Sequence, residues 1–583
     1  MGDAGRAVQR PREAAQKWSG RSPAGSDPAP AIRRVDEKRA GRQLEARGNI
    51  TSWATWCERL ASMASSTATA ANPDTDVDAV VIGAGHNGLV TAAYLARAGL
   101  STLLVEARKQ VGGTAASEPF AGATVNICNC DHLTFRTTPV IEELGLVEHG
   151  LEYLDVEPAQ HNMTWSSTTE GIGWSTHYDL DATLDEIGRV SPGDVEGYRR
   201  YAKAAIPAVR LILEAAAEPP TLTGLARIAA QHKFAGTPTL LRWSRRSTAD
   251  VLREFFESEI LRGPGAMTGP MVWGISPELD GSGLGALTHA MRHVAKVGRP
   301  IGGSGRVPAA LLAAFEAAGG TVRTGTRVVE ICCTGDAVSG VRLDDGSLVS
   351  ARTVVSACNP HDTFLRWLKH PPPVARDLIR RWEAMPHADG YESKLDVVLT
   401  EAPRLKHSDR TLGPTTVIAP DLASIHYGWK LMQRGRVLDR PGLFVNVPTL
   451  LDSSMAPAGR HVLSIEALFT PFALRGKWTD SVEPHRWLEA FADLCEPGLM
   501  ESIVDWRAMT PDRYESEFHL PAGHATSFAG GPLAALRNSN PELTKYETAI
   551  HGLYLTGAAT FPGAGVWGAS GRNCATVAIA HAT

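Results

Sequence analysis

The sequence is short of several things, and each shortage excludes a class of protein. No uninterrupted apolar run approaches the roughly eighteen residues of a membrane-crossing helix. Its 8 cysteines include no C-x-x-C, and no second Cys/His pair at zinc-like spacing accompanies Cys128 and Cys130, which could share one strand face. That argues against a disulfide reductase and against a metal site, and the thiols read as reduced and mostly buried. With 58 Lys and Arg against 63 Asp and Glu, the net charge of -5 leaves no basic footprint for nucleic acid. There is no internal repeat.

Glycine, in contrast, is plentiful, at 56 of 583 residues. Such usage points to turns with restricted backbones or to backbone lying close to a ligand. A chain this long also needs more than one core, or one large interrupted domain. Residues 1–62 are different material, with 12 Lys and Arg, 7 Asp and Glu, scattered Pro, Gly and Ser, and no periodicity. The acids argue against an organellar transit peptide and no apolar h-region is present. The expectation is a disordered extension over 1–75, with Met63 as an alternative start.

From Asp78 the pattern sharpens. Ala79-Val80-Val81-Ile82 is the continuous apolar run of a parallel strand buried on both faces. Gly83-Ala84-Gly85-His86-Asn87-Gly88 follows at once. Leu89, Ala92, Ala93 and Ala96 then mark one face of a helix that ends at Gly99. Thr102-Leu103-Leu104-Val105 is a second strand, closed by Glu106. Gly83 permits the tight turn, Gly85 lets backbone N–H groups approach a pyrophosphate, and Gly88 lets the helix pack on the sheet. Glu106 stands where a carboxylate accepts from ribose hydroxyls. Strand, glycines, helix, strand and acid in register predict a dinucleotide site.

Two later blocks repeat the glycine theme. In the first, Gly302-Gly303-Ser304-Gly305 precedes a helix with Leu311, Leu312 and Phe315 on one side. Strand signals follow at 321–323 and 328–331, a hairpin turns at Asp344-Asp345-Gly346, and Thr353–Ser356 closes the block. The second runs from Leu553 through Gly557-Ala558 and Pro562-Gly563-Ala564-Gly565-Val566 to Gly571-Arg572-Asn573.

Together with Ala107-Arg108 and Gly112-Gly113-Thr114, just past the acid, these blocks resemble the phytoene desaturase-like flavoproteins of the amine oxidase superfamily. The resemblance covers the chain from about Asp76 onward and favours FAD over NAD. It implies an α/β fold, a Rossmann-like FAD-binding domain with an interleaved α+β substrate domain. The FAD domain would comprise 76–165, 298–360 and 541–583, and the substrate domain 166–297 and 361–540. Gly83, Gly85, Asn87, Gly88, Glu106, Ala107, Arg108, Gly113, Thr114, Gly557 and Ala558 would contact FAD. Val328 would meet the adenine or serve only in the core. Ser356–Pro360 departs from the family's turn, which weakens the case for a flavin contact there.

The implied activity is FAD-dependent oxidoreduction, with hydride passing between flavin N5 and a small apolar, isoprenoid or polyene, substrate. The catalytic residues stay open, and His132 reads as structural. An amine oxidase and a non-catalytic FAD-bearing interaction protein are the alternatives. The corresponding location is cytoplasmic, with peripheral membrane contact for a lipid substrate. Arg572 would charge the flavin site or pair elsewhere. Trp567 would narrow the space over the flavin or pack between domains, and with Phe561 it departs from the family pattern. Cys574 reads as a buried helical thiol rather than a flavin anchor.

Overall fold

The structure, a computed structural model, describes residues 76–128, 131–166, 172–386, 390, 392–524 and 540–582. The expected extension over 1–75 and Cys130 fall outside the described residues.

A mixed sheet of seven strands forms the cofactor half. Its centre is Asp76–Ile82, flanked in parallel by Thr102–Val105 and by Leu348–Ser356. Val80, Val81, Leu103 and Leu104 are buried, which explains why these strands read as apolar runs rather than as alternating ones. The nine-residue strand Leu348–Ser356 does two jobs, although the sequence shows it as two short segments. Its first part pairs antiparallel with Ala337–Leu343 across the expected hairpin, where Gly346 has φ +86°. Its last part pairs in parallel with Leu553–Leu555, which leaves the last strand of the fold one strand away from the first.

Between the first two strands runs the helix His86–Arg97, ended by Gly99 at φ +90°. Every residue from Asn87 to Ala96 is buried, because Arg306–Ala317 and Ala569–Ala582 both pack on this helix. A helix enclosed on all sides needs small residues, and its alanines supply them. Where Ala569–Ala582 crosses it, Gly571 is so close that a Cβ would stand 2.3 Å from the Asn87 carbonyl oxygen.

A second seven-stranded sheet runs in the order Ile503–Met509, Glu392–Leu399, His461–Leu468, Leu443–Asn446, Thr416–Ala419, Gln160–Thr164, Trp174–Thr176. The strand Gln160–Thr164 therefore pairs in this sheet, although the boundary at 165 assigns it to the first piece. Strand periodicity gives the sheet two unlike faces. Leu395, Val397, Ile465 and Val445 share one apolar core with Trp487, Leu488 and Phe491 of the helix Glu483–Ala492. The other face carries Asn162, Lys394, Asp396, Asn446 and Glu466, all buried. Helices between 195 and 290 build a separate core, in which Tyr198, Tyr201, Trp243, Phe255 and Phe256 touch one another. Among the described residues no helix is long and apolar enough to cross a membrane.

Candidate cofactor site

The first glycine loop is built by exclusion of side chains. Gly83 has φ +94°, a conformation an L side chain rarely adopts, and a Cβ there would lie 2.6 Å from Cys358 Sγ. At Gly88 a Cβ would lie 2.0 Å from the Gly83 carbonyl oxygen, so glycine alone lets the helix begin this close to the turn. Gly85 is different: a Cβ would meet nothing within 4 Å, and the residue borders open space. It caps a helix with no side-chain cap hydrogen bond. The first-turn N–H groups are therefore free for an anion, and the helix dipole favours one.

The second glycine pair locks onto the first. The Gly112 N–H donates to the Ala84 carbonyl at 2.7 Å, and Gly112 and Gly113 both have positive φ. Glu106 is buried, with Oε2 accepting from the Ala84 N–H at 2.7 Å and Oε1 from the Arg108 N–H at 2.8 Å. A carboxylate held by two backbone donors has its orientation fixed and keeps lone pairs for further donors. The Arg108 guanidinium pairs with Glu118 at 2.6 Å and lies 3.8 Å above the centroid of the Phe518 ring.

All twelve residues expected to contact FAD, from Gly83 to Ala558 and including Val328, line one cavity of about 790 Å³. That volume falls within the range of small-molecule and cofactor sites. Asn87 sits in the wall while its Oδ1 accepts from the Gly571 N–H at 3.3 Å, so it also ties the two glycine-rich regions together. Gly557, at φ +110°, is held by the hydroxyl group of Ser570, which in turn bonds to Thr556 and Thr560.

Three parts of the wall were not expected. Ala357, Cys358 and Asn359 line the cavity despite their departure from the family's turn. The Ala357 N–H donates to the Ile82 carbonyl, so the neighbouring strand carries this turn past Gly83. The segment from Glu515 to His524, reached only after the second sheet, closes another side. His86, inside the glycine motif itself, faces the cavity with Nε2 buried and without a hydrogen-bond partner.

Further along the wall, His132 Nδ1 lies 2.8 Å from the Tyr153 hydroxyl and Nε2 lies 3.2 Å from Ser304 Oγ. Burial lowers its pKa to about 3, and that of His86 to about 4, so both imidazoles are neutral at pH 7. Asp131 pairs with Arg299 at 2.5 Å and accepts from Thr415 at 2.6 Å. Burial disfavours its charge, yet these two partners hold its carboxyl below the ordinary range.

The departures at the far end of the chain resolve into packing. Trp567 is buried against Ala216, Ile212 and Leu213, while Phe561 is buried against Leu211, Ala215 and Ile228. Both rest on the helix Val195–Ala216, and neither lines the cavity. Arg572 pairs in two-point fashion with Glu143, at 2.6 and 2.8 Å, and donates to the Ala217 carbonyl at 2.7 Å. Its charge is committed there rather than to the cofactor. Cys574 is a buried thiol outside the cavity, and burial raises its pKa.

The flavin-containing amine oxidoreductase family matches residues 88–391. The chain belongs to that family. The flavoenzyme is 28% identical over 554 residues to rat pyridine nucleotide-disulfide oxidoreductase domain-containing protein 2, covering 86% of this chain and 93% of that protein. It is 29% identical over 536 residues to one of the polypeptides of the limonene dehydrogenase of Castellaniella defragrans, covering 85% and 93%. It is 29% identical over 519 residues to the lycopene-forming phytoene desaturase of Pantoea ananas, covering 86% and 98%. A redesigned putrescine oxidase shares the fold with a TM-score of 0.60 and 17% identity, covering 87% and 99%. The protein is an FAD-dependent oxidoreductase. Its cavity fits that cofactor: Gly85 leaves room for a phosphate, Glu106 is an oriented acceptor, and the helix start offers free N–H groups.

Proposed function

We propose that the flavoenzyme oxidises or reduces an apolar substrate of isoprenoid or polyene type. Gly83, Gly85 and Gly88, with Gly113 and Thr114, would hold the pyrophosphate. Glu106 would hold the ribose, with Ala107 and Arg108 beside it, and Val328 would meet the adenine. Asn87, Gly557 and Ala558 would complete the flavin side. Bound FAD supplies two-electron exchange with a substrate carbon. The chain's own part is to orient, to exclude water and to hold charge. Neutral His86 and His132 add hydrogen-bonding groups without charge, and Asp131 stays an anion bound to Arg299.

One observation favours this reading over an amine substrate. Every carboxylate in the described cavity wall is already engaged. Glu106 is bound by two N–H groups, Asp131 by Arg299 and Thr415, Asp362 by Arg366, and Glu515 by the Ala522 N–H. Asp131 and Asp362 are neutralised by arginines and Glu106 is reserved for the ribose, which leaves Glu515 as the one wall carboxylate, among the described residues, to counter an ammonium substrate. The apolar substrates for which the limonene dehydrogenase and the phytoene desaturase are named agree with that.

The test is anaerobic bleaching of the bound flavin by matched panels of isoprenoid alkenes and primary amines. Bleaching by alkenes alone is expected. Reduction by amines, with peroxide released under air, would establish the amine oxidase instead. A flavin that nothing reduces, but whose removal unfolds the chain, would mark a non-catalytic role.

A further inference from the structure

Single apolar side chains on a surface need no explanation, but several on one element do. Leu222, Phe234 and Leu241 are 66, 59 and 48% exposed, and all three belong to one helical hairpin, Leu222–Gln231 and Thr237–Trp243 with the turn between them. The hairpin is seated on the helix Val195–Ala216. Gly236, at φ +86°, makes the turn so close that a Cβ would stand 2.5 Å from the Ala208 nitrogen. Leu225, Ile228 and Leu240 face inward, against Leu211, Ala215 and Phe561. Packing is therefore satisfied by the inner side alone. On the outer side Leu222, Ala226 and Ala230 recur every fourth residue and lead to Phe234, and all four are exposed. Pro238 and Leu241 are exposed on the second helix. A solvated helix face is ordinarily polar, and this one is not.

Its charge is of one sign. From Pro219 to Ala249 the chain has 5 Lys and Arg and no Asp or Glu. Arg227 pairs with Glu218, and Arg242 and Arg246 share Glu254. Lys233 and Arg245 are exposed and enter no ion pair among the described residues. Lys233 adjoins Phe234, and Arg245 follows Leu241 by one helical turn. Apolar groups flanked by unbalanced cations complement a bilayer, whose acyl chains lie beneath negative headgroups. A second copy of this hairpin fits less well, since a symmetric contact would bring like charges together.

Its position gives such a contact a use. Phe561, packed on Ile228, belongs to the loop that lines the cofactor cavity through Gly557, Ala558, Gly565 and Val566. The hairpin is one packed layer from that cavity.

We propose that the hairpin 222–245 docks the enzyme on an anionic lipid bilayer, its outward apolar side chains entering the headgroup boundary and Lys233 and Arg245 meeting the phosphates, so that an apolar substrate is drawn from the membrane. No described helix could cross a bilayer, so the hairpin lies on it. The use for substrate rests on the apolar-substrate reading, whereas the docking does not.

The experiment sediments the FAD-loaded full chain with vesicles of phosphatidylcholine alone or mixed with phosphatidylglycerol. Three variants are compared with wild type: Leu222→Ser, Phe234→Ser and Leu241→Ser combined; Lys233→Glu with Arg245→Glu; and Val482→Ser, an apolar residue 73% exposed elsewhere. Wild type is expected to bind the mixed vesicles about tenfold or more tighter than the neutral ones, and high salt should erase that preference. The triple serine variant should lose binding to both compositions, the charge-reversed pair should lose the preference, and Val482→Ser should bind as wild type. All should keep their FAD, because the altered side chains are exposed. Should the serine variant melt lower, the charge-reversed pair, which disturbs no packing, decides alone. Equal binding of both vesicles by wild type, wild-type binding by the charge-reversed pair, or an equal loss in Val482→Ser would overturn the docking surface. So would a wild type that binds no vesicle but self-associates through the hairpin, with the serine variant monomeric. Vesicle binding as expected, with a flavin that no embedded isoprenoid alkene bleaches, would sink the substrate reading and leave the docking standing.

Discussion

Glu106 shows how much one side chain settles in this enzyme. Its two oxygens fix the Ala84 and Arg108 N–H groups, so it shapes the glycine loop as well as facing the cavity. Glu106→Ala removes two charge-assisted bonds, each worth on the order of 1.5–3 kcal/mol. We expect FAD affinity to fall at least tenfold in a fluorescence titration of the apoprotein, with Glu106→Asp intermediate. An unchanged affinity would remove Glu106 from the site. Glu106 was legible in the sequence because strand, loop and helix are local and leave a local pattern. His86 was not assigned, although it stands inside the same motif, because an orphaned nitrogen is a property of three-dimensional surroundings. Trp567 and Phe561 mislead for the opposite reason. Their loop borders the site, but only the structure shows their rings turned onto Val195–Ala216.

Among elements, the crossing of His86–Arg97 by Ala569–Ala582 is the tightest. Gly571→Ala would push a Cβ to 2.3 Å from the Asn87 carbonyl, and overpacking of this kind costs about 1–3 kcal/mol. A lower melting temperature together with weaker FAD retention is expected, since Asn87 and Gly571 join the two halves of the site. Gly188→Ala is the control. It lies in the helix Leu180–Val190, and its nearest neighbour would be Val195 Cγ2 at 3.8 Å. There the higher helix propensity of alanine should raise stability by up to about 1 kcal/mol. If the two variants melt alike, close packing at the crossing is not the constraint. The parallel strands and this helix were readable from apolar runs and glycines. The second sheet was only partly so, because its strands come from distant segments and one face is polar although buried. The Glu515–His524 wall was invisible, since nothing local says where that helix docks.

Over the whole molecule, acid should be damaging. Burial lowers the pKa of His86, His161 and His524 to about 4 and of His132 to about 3. In the unfolded chain these groups take up protons near pH 6.5, so the unfolded state binds more protons below that value. Their contribution is fully present above pH 6.5 and is lost as pH falls toward 4. Each adds a slope of up to about 1.4 kcal/mol per pH unit in that window. We expect the urea midpoint of the FAD-loaded protein to drop steeply between pH 7 and pH 5. A flat midpoint would mean that these imidazoles are not locked neutral by the fold.

The pairing of Leu553–Leu555 with Leu348–Ser356 also dictates an order of events during synthesis. The glycine loop at 83–88 leaves the ribosome early, but the Gly557 wall and the helix that covers His86–Arg97 are translated hundreds of residues later. Until then the apolar flank of the first helix is uncovered and the cavity lacks a side. The cavity wall is therefore complete only once the chain has been translated past Val566, and the cover of the first helix only with Ala569–Ala582.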